Sequence, residues 1–159
     1  MNTIQQIEEN CKTAEEALPN SFSAEDLERV SRVRDIYHAR LKTGCTGCRY
    51  CMPCPFGVDI PGCMEIYDNY GLFGDKKGAR FWYLSRMGGA TGGDLALASQ
   101  CHQCGKCLKA CPQHLPIPDL MKEVQKEFEG PMFSVMRLLG KPLLALYSRI
   151  ESFKLRRDR

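Results

Sequence analysis

The stretch CHQCGKCLKACP, residues 101–112, carries four cysteines separated by gaps of two, two and three residues, with a proline directly after the last. Two-residue gaps curl a backbone around one corner of a cubane, so three thiolates reach three irons while the intervening amides turn toward the inorganic sulfides. The fourth thiol leaves on the outgoing chain, and the proline turns that chain away. A second stretch, CTGCRYCMPCP at residues 45–55, repeats the pattern. Cys45, Cys48 and Cys51 match Cys101, Cys104 and Cys107, and Cys54-Pro55 matches Cys111-Pro112 with one residue fewer before it.

The likeness extends past the prolines. CPFGVDIPGCMEI (54–66) lies over CPQHLPIPDLMKE (111–123), with Cys, Pro, a branched apolar residue, Ile, Pro and Met in register. This is an internal duplication. In each copy the Ile-Pro pair suits a helix start, since proline at the first helical position loses no needed donor. Cys63 falls opposite Leu120, an apolar helix position, so it reads as structural. The C-x2-C-x2-C-x3-C-P run is that of bacterial two-cluster ferredoxins, whose last cysteine serves the other cluster. One [4Fe-4S] cluster then takes Cys45, Cys48, Cys51 and Cys111, and the second takes Cys101, Cys104, Cys107 and Cys54; the shortened gap before Cys54 is the weakest link. Zinc competes, since four thiolates can close a tetrahedral site, but zinc sites usually pair two C-x2-C units across a long loop. His102 and His114 read as solvent or supporting residues and His38 as a helix-surface residue, so none is assigned to metal.

Ten cysteines in 159 residues mean either secreted disulfides or intracellular ligation. The opening MNTIQQIEEN has neither a basic n-region nor an apolar h-region, and no window approaches the roughly 18 apolar residues of a membrane span. A reducing cytoplasmic compartment is therefore expected, with the thiols as ligands. The formal charge of +3 counts every cysteine as neutral; two four-iron sites of about −2 each would bring the loaded chain near −1. The charge is thus no signal for nucleic acid. The length falls short of the roughly 250 residues of a (β/α)8 barrel, and the cysteine-bearing middle is small enough to need a staple.

Along the chain, Ile4, Ile7, Cys11, Ala14 and Leu18 recur at helical spacing behind Thr3-x-x-Gln6, and Leu27, Val30, Val33, Tyr37 and Leu41 do so behind Ser23-x-x-Asp26. Cys11 is expected to be a buried small hydrophobe. A helix is expected over about 76–87 and a shorter piece over 95–99, flanking a flexible GGATGGD that lacks the ending of a phosphate loop. No convincing strand pattern occurs, so the fold class is all-α: a helical lead-in at 1–40, a two-cluster domain at 41–128, and a tail at 129–159. In that tail Leu143, Leu146, Tyr147, Ile150 and Phe153 alternate with Arg149, Lys154, Arg156 and Arg157, an amphipathic basic helix suited to a membrane surface or a partner.

CTGCRYCMPCPFGVDIP followed by CHQCGKCLKACPQHLPI resembles the C-terminal iron-sulfur region of ferredoxin-domain-containing aldo/keto reductases, and IQQIEENCKTAEEALPNSFSAEDL resembles the segment that closes the barrel in that family. The resemblance covers about residues 1–125. The long gap between the motifs also resembles α-helical ferredoxins such as the iron-sulfur subunits of fumarate reductases. It implies electron transfer to a redox partner or a covalently linked reductase barrel, although none of the family's catalytic Tyr, Lys, Asp and His can be assigned here. Open alternatives are a subunit of a fumarate reductase or heterodisulfide-type complex, and a docking module in which the clusters are staples.

Overall fold

A computed structural model of the chain describes residues 2–89 and 93–139. Every regular element among them is helical. The chain divides into two units, Met1–Ala39 and Arg40–Arg159.

The first unit holds α1 (Ile4–Glu16) and nearly all of α2 (Ala24–Arg40). Both begin where the capping residues stand. The Thr3 hydroxyl accepts the Gln6 amide at 3.3 Å, and Ser23 and Asp26 form a reciprocal pair, with Asp26 N–H on Ser23 Oγ at 3.1 Å and Ser23 N–H on Asp26 Oδ2 at 3.3 Å. Neither helix buries a residue. Cys11, expected inside, is exposed, because its apolar stripe has no covering layer within this unit.

The second unit is built on the duplicated helices. α3 (Ile60–Phe73) and α6 (Ile117–Phe128) each carry proline in the first turn. Asp59 caps α3 by accepting the Gly62 amide at 3.4 Å, and Gly74, at φ 71°, ends it in a left-handed turn that returns its N–H to Tyr70. α3 buries most of its N-terminal half on all sides and so forms the axis of the unit. It packs on α4 (Lys76–Arg86), which Asp75 caps through the Gly78 amide at 2.9 Å, and on α6. α6 also packs on a 3-10 turn, Ala98–Gln100, shorter than the helical piece expected over 95–99. The short α5 (Lys106–Ala110) lies inside the second cysteine run, and residues 131–139 are helical.

The core joins Met64 and Cys63 of α3, Met121, Val124 and Phe128 of α6, and Tyr83 of α4. Each such side chain stabilises the fold by about 1.5–3 kcal/mol when fully buried. Tyr83 stacks on Phe128 with ring centroids 5.1 Å apart. The in-register pairs Ile60 and Ile117, and Met64 and Met121, are all buried, so the duplication extends to the packing. No described helix is long and apolar enough to cross a membrane. The basic helix expected from Leu143 to Phe153 lies outside the described residues, as do residues 90–92 of the glycine-rich connection.

Candidate metal centre

Both cysteine runs are folded by the same backbone device. Gly47 (φ 68°) and Gln103 (φ 53°) precede the second cysteine of each run, and Arg49 (φ 64°) and Gly105 (φ 73°) follow it, all in the left-handed region. Cys48 and Cys104 lie between them on the ordinary side. Such alternation of hand turns successive N–H groups toward one side and makes a concavity for negative charge. The turn after each Cys-Pro is repeated as well: Gly57 N–H donates to Cys54 O and His114 N–H to Cys111 O, each at 3.1 Å, with φ of 78° and 52°. Between the third and fourth cysteines the copies part. The second run places α5 there, whereas the first has only Met52-Pro53, joined by a cis peptide bond.

The thiols ring two hollows. Cys45, Cys48, Cys51 and Cys111 line one, and Cys54, Cys101, Cys104 and Cys107 line the other, which Cys51 also reaches. Each hollow thus has a thiol from the other run. They differ in size, at about 20 Å³ for the first and about 200 Å³ for the second. None of the ten cysteines is in a disulfide, and Cys48 and Cys104 are exposed. Cys63 lines neither hollow; it is fully buried and donates to Ala96 O at 3.7 Å. Burial pushes its thiol far up, beyond any ordinary working pH.

Burial also pushes Cys45, Cys51 and Cys107 up, and neighbouring thiols add to it: Cys48 and Cys111 on Cys45; Cys45, Cys107 and Cys48 on Cys51; and Cys101, Cys104 and Cys54 on Cys107. Thiols crowded like this ionise together only around a cationic core. Among the described residues no group of three or more His, Cys, Asp or Glu converges tightly enough for a single ion. A ring of thiols around a hollow, with the Gly47 amide donating to Cys45 Sγ at 3.5 Å, fits a polynuclear iron-sulfur core, whereas zinc needs four ligands meeting at one point.

Several supporting residues were not picked out by their sequence. Asp68 of α3, 7% exposed, accepts the Lys42 amide at 2.8 Å and both the amide and hydroxyl of Thr43 at 2.6 Å. Thr43 Oγ1 in turn accepts the Cys45 amide at 3.1 Å, which ties the first run to α3. At the second run, Glu129 accepts the Ser99 amide at 3.1 Å and the Tyr83 hydroxyl at 2.5 Å, and Tyr83 accepts the Ala98 amide at 2.8 Å. An aspartate amid the apolar run of α3 was the available signal for the first of these. His102 stacks on Phe56, with ring centroids 4.2 Å apart, at the rim of the second hollow, and His114 and His38 are exposed.

No curated protein and no solved structure matches the chain. Residues 44–115, from the glycine before Cys45 to the leucine in register with Val58, match the family model described as a 4Fe-4S dicluster domain. That stretch is an iron-sulfur region of ferredoxin type.

Proposed function

We propose that the chain is a one-electron relay with two [4Fe-4S] clusters, the first held by Cys45, Cys48, Cys51 and Cys111 and the second by Cys101, Cys104, Cys107 and Cys54. The observation that carries this reading is the pair of hollows, each ringed by the first three thiols of one run and the last thiol of the other, with Cys51 reaching both. When bound, such clusters supply reversible one-electron oxidation and reduction at low potential. The chain's own part is to neutralise charge, exclude water and hold the two centres close. The left-handed residues flanking Cys48 and Cys104 turn amides inward, and the core residue Ile60 lines both hollows and keeps them dry. Cys51 lines both hollows and so stands between the two centres.

The partner we infer is a redox protein or a linked reductase barrel of the aldo/keto type, and the compartment a reducing, cytoplasmic one in which free thiols persist. The test is anaerobic reconstitution, iron analysis and dithionite reduction followed by EPR. About eight irons per chain and a signal that returns to silence on reoxidation are expected. Cys104→Ala should lose or convert one cluster; iron content and visible absorption unchanged from wild type would refute the ligand set, and clusters that resist reduction would leave them as staples.

A further inference from the structure

The two runs share one more arrangement. Each is tied back, two residues before its first cysteine, to a carboxylate on the helix that leaves its own repeat: Thr43 to Asp68 on α3, and Ser99 to Glu129 at the C-terminal cap of α6. In the register of the duplication these carboxylates are one helical turn apart and so fall on the same face. Both are satisfied by neutral donors. Asp68 takes two amides and a hydroxyl, Glu129 an amide and a phenol, and neither joins an ion pair among the described residues.

The charge of a carboxylate held by neutral donors acts on its surroundings; Arg49 and Arg86 line one groove with Asp68 but form their ion pairs with Asp59 and Glu65. Asp68 stands two hydrogen bonds from the Cys45 amide, through Thr43 Oγ1, and Glu129 holds the Ser99 amide two residues before Cys101. Other carboxylates near the runs are neutralised, Asp59 by Arg49 at 3.7 Å and Glu65 by Arg86 at 3.2 Å.

We propose that Asp68 and Glu129 are positioning residues that fix the two ligand runs and set a permanent negative charge behind each centre, holding both reduction potentials low. This rests on the two-cluster reading above. Reduction adds an electron to a site already negative, and a fixed anion nearby makes that addition less favourable. Thr43 and Tyr83 transmit position, and the carboxylates supply charge.

The experiment is EPR-monitored redox titration of the full, cluster-loaded chain, comparing wild type with Asp68→Asn, Glu129→Gln and Thr43→Val. Asp68→Asn is expected to raise one midpoint potential and leave the other in place, and Glu129→Gln to raise the other. Glu129→Gln keeps an oxygen that can accept from Ser99 and Tyr83, so it removes charge while sparing the contacts, and it decides the matter if Asp68→Asn loads poorly. Thr43→Val removes a contact but no charge, and should hasten iron loss to a chelator without the upward shift. Unshifted potentials in both carboxylate variants at full iron content would overturn the proposal, as would a shift of the same centre by both. Iron loss in all three variants from folded chains would assign these groups to structure alone and overturn it as well. If wild type itself takes up no electrons, the relay reading fails; if it reduces normally and the variants do not differ, only this inference does.

Discussion

Two cysteines only nine positions apart, Cys54 and Cys63, are put to different uses by what surrounds them. Cys54 lines a hollow with four other thiols, and Cys63 of α3 is sealed in the core. Cys63→Ala is expected to leave iron content unchanged and to cost about 1 kcal/mol in denaturant unfolding, the scale of a small buried group removed. Cys54→Ala should lose or convert one cluster. Iron loss in the Cys63 variant would make that thiol a ligand. A pH effect follows from the same burial. In the folded chain Cys63 stays protonated far above its ordinary value, while in the unfolded chain it ionises near pH ~8.5. Above that pH the unfolded state holds fewer protons than the folded one, so stability falls as pH rises. Unfolding curves between about pH 8 and 10 should decline more steeply for wild type than for Cys63→Ala.

At the scale of elements, α3 carries the heaviest constraint, since it packs on α4 and α6 and anchors the first ligand run. Gly71 marks its closest approach to the preceding chain: a Cβ there would collide with the Arg40 carbonyl oxygen, a backbone atom with little room to yield. Gly71→Ala should therefore destabilise by about 1–3 kcal/mol, and a thermal midpoint equal to wild type would show that the junction relaxes freely. The helix starts were legible because their signals are local: Ser23 with Asp26, and the Ile-Pro pairs at 60–61 and 117–118. The left-handed positions were less so. Gly47 and Gly57 announce theirs, but their counterparts Gln103 and His114 do not, and Arg49 hides one that Gly105 reveals. Either run read alone misleads, and the two superposed expose all three positions. The shortened gap before Cys54 was legible as a difference but not as a shape, because the absence of α5 there follows from the length of the gap.

For the molecule as a whole, periodicity identified apolar faces without saying what covers them. In the second unit Met64, Met121 and Tyr83 find one another, whereas the stripe through Cys11 finds nothing within its own unit, and the expectation of burial failed there. Asp68 and Glu129 escaped notice because their partners lie 25 and 30 residues away, beyond any local pattern. The crossing of the two runs bears on how the chain can be dissected. Cys111 lines the hollow of the first run and Cys54 that of the second, so neither hollow is furnished by one continuous stretch. A cut anywhere between the runs leaves both incomplete, and the domain cannot be halved into two independent modules.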